Sequence, residues 1–180
     1  MMMFRDSYKY IISRAERALD EVSDELVQEA VNIVLESHQI FVYGSGRSGL
    51  VGKFFAMRLV QLGFTSYFIG ETITPVVEKD DSVFLISNTG STKSTLLVAS
   101  VVQRIGAKIV GITSNYNSPL SKYSDLVIPI APQHKNGTLA PLGTMFELST
   151  VVFLDSLVSE LMKETGQSEE DLRRRHAIWV

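Results

Sequence analysis

The chain has 180 residues, of which 45% are hydrophobic and 21% charged, a balance that excludes a disordered polymer and fits one globular domain with a sizeable core. A net charge of -3 argues against nucleic acid or an anionic membrane as the main partner. With no cysteine, disulfide and thiolate chemistry are excluded, which fits a reducing compartment.

The start, "MMMFRDSYKY", lacks the apolar run of a signal peptide, and no apolar run approaches a membrane span. A cytoplasmic protein is expected. Phe4, Tyr8, Ile11, Ile12, Ala15, Leu19 and Val22 recur at helical spacing. A second helix begins near Ser23-Asp24. "QIFVYG" (39–44) reads as a buried strand, and a helix from about Ser48 to Leu62 is closed by Gly63. That helix is apolar almost all round, so it needs cover from the sheet and from another subunit. Strands follow at 65–70, 82–87, 107–114 and 125–130. A helix from Thr92 to Ile105 lies between the second and third of these, and Ser118-Pro119 starts a short one before the last. Residues 131–143 form a loop ahead of a long helix from Thr144 to Thr165. Ser168 to Asp171 resembles a capping box for a last helix. Continuously apolar strands alternating with helices predict an α/β domain over 1–180, with a parallel sheet and helices on both faces. Its ligand loops lie beyond the carboxyl ends of the strands.

Two of those loops stand out. "YGSGRSGL" (43–50) carries Gly44, Gly46 and Gly49 at the spacing G-x-G-x-x-G. This is the dinucleotide fingerprint when it links a strand to a helix, and Glu71 stands where a ribose-binding carboxylate would. Arg47 and Ser48, however, put a cation and a hydroxyl where the fingerprint asks for neither. A tight turn that needs glycine is the third reading. "SNTGST" (87–92) opens the next helix with Ser87, Thr89, Ser91 and Thr92. One hydroxyl suffices for an N-cap, and four suit a phosphate at a helix N-terminus.

Glu147 heads the buried line Val151, Leu154, Val158, Leu161 on the long helix. A carboxylate there is either paired structurally or placed for proton transfer. His38 precedes the first strand and reads as structural, while His134 lies in the 131–143 loop. His176 follows three arginines and by itself reads as part of a solvated tail. No metal-ligand spacing occurs.

These segments together resemble the sugar isomerase (SIS) domain family. "GSGRSG" with "FAMRL", "LGF" and "GETITP", then "ISNTGSTKS", "PLGTMFE" and "RHA" follow that family's order over nearly the whole chain. Thr89 stands for the usual Ser, Asn88 for a common glycine, Leu142 for Met, and "IWV" replaces the usual ending. The resemblance implies a three-layer α/β/α sandwich with a five-stranded parallel sheet, and a homotetramer with shared sites. It implies neither metal nor organic cofactor. It also implies isomerisation of a small sugar phosphate, the carbonyl of a hexulose 6-phosphate moving between C3 and C2. Ser48, Ser87, Thr89, Ser91 and Thr92 would bind phosphate, and the loop at Gly46 would wall the sugar. Arg47 would stabilise developing charge, Glu147 would be the base, and His176 would enter a neighbour's site. Glu71 would order the site and bind no ribose. An aldose–ketose isomerase of arabinose 5-phosphate and a non-catalytic sugar-phosphate sensor are the alternatives.

Overall fold

The computed structural model describes residues 3–133 and 136–176. Six helices and five strands follow in chain order: α1 (Met3–Asp20), α2 (Asp24–Glu36), β1 (Ile40–Gly44), α3 (Arg47–Leu62), β2 (Ser66–Phe68), β3 (Ser82–Ile86), α4 (Lys93–Ile105), β4 (Lys108–Thr113), β5 (Leu126–Pro129), α5 (Thr144–Thr165) and α6 (Glu169–Arg174). The expected α/β sandwich with its five-stranded sheet is therefore present. The strand order is β2-β1-β3-β4-β5 and all pairings are parallel.

Strand period divides the core in two. Ile40, Val42, Phe84, Ile86, Val110 and Ile112 point to the face covered by α2, α3 and α5. Their neighbours Phe41, Val83, Leu85 and Ile109 point to the face covered by α4, against Ala99 and Val102. Burying each large side chain of this kind contributes about 1.5–3 kcal/mol.

The first strand feeds α3 and β2 to one side, while β3, β4 and β5 extend to the other. The carboxyl ends of β1 and β3, side by side, therefore make a topological switch point. Two details differ from the sequence reading. The strand expected at 65–70 is ordered only over Ser66–Phe68, because it lies at the sheet edge and pairs with β1 alone. The short helix after Ser118 is one 3₁₀ turn, Leu120–Lys122, because the chain must enter β5 at Leu126. The expected cap moves with it: Pro119, without a side-chain cap, precedes the turn, while the Ser118 hydroxyl accepts from the Ser121 N–H at 3.3 Å.

Candidate active site

Three helices start at the carboxyl ends of the strands, and none has a side-chain cap. Gly46 precedes α3, Thr92 precedes α4 and Gly143 precedes α5, each without a side-chain hydrogen bond to the helix. The first turns of α3 and α4 carry no acidic residue. Away from this end the helices are capped in the ordinary way. Ser23 accepts from Leu26 at the start of α2, and Ser168 closes a capping box at α6. Free N–H groups and helix dipoles at the sheet's carboxyl end favour an anion there.

The loop after β3 is held in one shape by its backbone. The Asn88 carbonyl accepts from Thr113 Oγ1 at 3.0 Å, Ser114 Oγ at 2.8 Å and the Ser114 N–H at 2.9 Å. Gly90 has φ 61°, and a side chain there would run into Ser118 and Thr113. This fixing leaves the hydroxyls available. Ser87 Oγ and Thr92 Oγ1 lie 3.0 Å apart and share one proton between them. Thr89 Oγ1 accepts from Ser91 Oγ at 2.9 Å and from the Ser91 N–H at 3.3 Å. Each pair of hydroxyls thus keeps one proton free to donate. Thr92 precedes the helix without using its hydroxyl as a cap, so capping does not explain the four hydroxyls.

The second part of the site joins α3 to α5. Glu147, in the first turn of α5, is 9% exposed. Its Oε1 accepts from Ser48 Oγ at 3.3 Å, and its Oε2 lies 3.5 Å from Arg47 Nε. A side chain at Gly143, whose φ is 81°, would come within 2.9 Å of Oε2 and 3.1 Å of Arg47 Nε. A cavity of about 160 Å³ lies nearby, lined by Asn88 of the first part, by Gly143, Met145 and Phe146 next to Glu147 in the chain, and by Ser114 and Pro132. Asn88, which the resemblance placed where glycine is common, lines this space.

The glycine fingerprint serves packing. A Cβ on Gly44 would meet Ser48 backbone at 2.7 Å, and one on Gly49 would meet the Gly44 carbonyl at 2.5 Å. Those two glycines let α3 start tight against β1, and only Gly46, φ 58°, faces open space. Glu71 pairs with Lys53 at 3.1 Å, and Lys53 stands 5.0 Å over the Phe68 ring. Both line a groove of about 450 Å³ along the outer side of α3.

His176 lies in that same groove and is exposed. Arg175 fixes the segment by donating to the Gln61 carbonyl at 3.2 Å and to Gln167 at 2.8 Å. Gln61 is about 20 Å along the helix axis from Arg47. Within one chain, then, the structure joins Ser48, Arg47 and Glu147 but leaves His176 elsewhere. His38 lies 3.7 Å from the buried Asp81, at the opposite end of the sheet, as a structural residue would. His134 lies outside the described residues. Among the described residues no His, Asp or Glu side chains group as metal ligands, and no helix is long and apolar enough to cross a membrane. Sequence reasoning missed Gly143 and the Thr113-Ser114 clamp, although two hydroxyls ending a strand beside a ligand loop are a usable signal.

The fold and site define a doubly wound α/β protein with a hydroxyl-rich loop at one helix N-terminus and a buried carboxylate in the first turn of another. The chain belongs to the SIS domain family, whose model matches residues 33–157. It is 40% identical to the 3-hexulose-6-phosphate isomerase of Methanocaldococcus jannaschii, over 87% of this chain and 85% of that one. It is 34% identical to the 3-hexulose-6-phosphate isomerase of Bacillus subtilis, over 93% and 94%. A crystal structure of a hypothetical protein from Methanococcus jannaschii, for which the function of 3-hexulose-6-phosphate isomerase was inferred, superposes with a TM-score of 0.85. It is 34% identical and is matched over 97% of both chains.

Proposed function

We propose that this chain interconverts D-arabino-hex-3-ulose 6-phosphate and D-fructose 6-phosphate through a cis-enediolate, as a 6-phospho-3-hexuloisomerase. The observation that carries this reading is the buried Glu147 carboxylate beside Ser48 and Arg47, with a small cavity near it that Asn88 of the Ser87–Thr92 loop and Gly143 and Phe146 line. The two protons left free among the hydroxyls of Ser87, Thr89, Ser91 and Thr92, with the N-terminus of α4, hold the phosphate. Gly46 lets the first loop turn without a side chain over the sugar. Phosphate binding at a distance from the reacting carbons supplies orientation.

Glu147 takes the hydrogen from C2 as a proton. The C–H electrons form the C2=C3 double bond, and the carbonyl electrons move onto O3. Returning the proton to C3, with loss of the O2 proton, places the carbonyl at C2. The sugar's oxidation level is unchanged overall, so the reaction calls for no external oxidant or reductant. Arg47 stabilises the developing oxygen charge. His176 of a neighbouring subunit moves the proton between O2 and O3 in a cytoplasmic homotetramer.

The test is a coupled assay of fructose 6-phosphate formation from the hexulose phosphate, run beside arabinose 5-phosphate. Faster turnover of the pentose would replace this reading with the aldose–ketose one, and binding without turnover would leave a sensor. Glu147→Gln keeps sugar-phosphate binding and loses at least about 10²-fold in kcat. Turnover near that of the parent would remove Glu147 from the chemistry.

A further inference from the structure

We propose that Ser48 is a positioning residue for the Glu147 carboxylate and not a phosphate ligand, and that Glu147 Oε2 is the atom that carries the proton. The inference rests on the isomerase reading above. It starts from donor arithmetic. A serine hydroxyl has one proton to give. That of Ser48 goes to Glu147 Oε1 at 3.3 Å. Ser48 is 7% exposed, at the second residue of α3, so its hydroxyl is fixed by the helix that carries it. A phosphate needs donors, and this one is already committed. The Ser87–Thr92 loop has donors to spare.

The two oxygens of Glu147 differ. Oε1 has its serine. Oε2 is buried and accepts no hydrogen bond among the described residues, although Arg47 Nε is 3.5 Å away. A buried carboxylate oxygen without a donor is costly, and such atoms mark functional positions. What adjoins Oε2 is Gly143, where a Cβ would come within 2.9 Å of it. Gly143 also lines the small cavity that Asn88 and Ser114 bound. The side chain that glycine lacks is what lets Oε2 and Arg47 Nε sit this close to the backbone at the edge of the cavity. Arg47, with its side chain 60% exposed, is the cation beside that oxygen.

One fixed oxygen suits the reaction. In a cis-enediolate pathway the proton leaves C2 and returns to C3 on the same face. A carboxylate whose Oε1 is tied swings little, so Oε2 serves both carbons from one position. Proton transfer forms the Oε2–H bond as the C2–H bond breaks, and the return step reverses this at C3. No other group is oxidised or reduced.

The experiment is steady-state kinetics of Ser48→Ala and Thr92→Ala, with inorganic phosphate as competitive inhibitor. Expected for Ser48→Ala is a kcat reduced at least 10-fold, with KM and the phosphate inhibition constant within about twofold of the parent. Thr92→Ala is expected to raise both constants and keep more of kcat. A Ser48→Ala enzyme with full kcat and weakened phosphate inhibition would overturn the proposal. Should that variant not fold, Ser48→Cys, similar in shape but a weak donor, is read by the same split. Ser48→Thr, which restores a hydroxyl, is expected to recover part of kcat. Failure here is separable from failure of the isomerase reading, because Glu147→Gln and the choice of substrate decide that independently.

Discussion

Gly49 shows what a single residue does in this site. It sits on the first turns of α3, where a Cβ would stand 2.5 Å from the Gly44 carbonyl and 3.5 Å from the Phe68 ring. No rotamer change relieves a contact made with backbone. Gly49→Ala must push α3 away from β1, and overpacking of this kind costs about 1–3 kcal/mol. The expected outcome is a thermal midpoint lower by at least about 3 °C, with sugar-phosphate turnover reduced because Arg47 and Ser48 ride on the displaced turn. An unchanged midpoint by calorimetry would show that the glycines serve the ligand and not the helix. The sequence offered both possibilities for this spacing. What it lacked was the distance between two backbones, which no residue pattern states. The same holds for Gly143: its position before α5 was visible, but its closeness to Glu147 and Arg47 depends on how α3 and α5 cross.

At the scale of elements, what was legible followed from strong local signals. The bounds of α5, Thr144–Thr165, agree with the reading because apolar periodicity begins after a Pro/Gly loop and ends at Gly166, φ 67°. The edge strand β2 was overestimated because an apolar run says nothing of how many neighbours a strand will have. The capping box at α6 was read correctly, and it bears on His176. Asp171 accepts from Ser168 Oγ at 2.6 Å and from the Ser168 N–H at 2.9 Å. These bonds hold its carboxyl below the ordinary aspartate range, the Ser168 hydroxyl first and its backbone N–H next, aided by Arg174 and Arg175. A depressed native value stabilises α6 above the unfolded-state value of about 3.9. That contribution is lost as pH falls through the native value. Amide protection factors in Asp171–His176 are therefore expected to fall below about pH 4 before those of the sheet amides do. Asp171→Asn should show fast exchange there already at pH 7. If the tail and the sheet open together in both cases, the capping box does not govern the tail.

For the molecule as a whole, the open question in α3 is what covers its outer face. Burial accounts for Val51, Phe55, Leu59 and Leu62 against the sheet and α5, but Leu50 is 69% exposed, Met57 48% and Val60 45%. Ile73 and Val76, beyond β2, are 81% and 78% exposed. Met57, Val60 and Ile73 line the groove that holds His176, beside the Lys53–Glu71 pair. Apolar residues exposed on this many sides of a helix are the kind of surface that a second partner covers. The proposed assembly of identical chains would supply it and would carry His176 toward a neighbour's carboxylate, which its own chain does not do. Met57→Glu with Val60→Glu is then expected to shift the species seen by sedimentation toward monomer. Turnover should fall with it while Glu147, Ser48 and the phosphate loop stay intact. Two inactive variants give the sharper readout. Glu147→Gln chains and His176→Ala chains, unfolded and refolded together, should regain a fraction of parental activity, because mixed assemblies contain interfaces with one intact Glu147 and one intact His176. Refolded separately, each should stay inactive. A fully active monomer, or no recovery in assemblies shown to be mixed, would confine the chemistry to one chain and return His176 to the solvated tail.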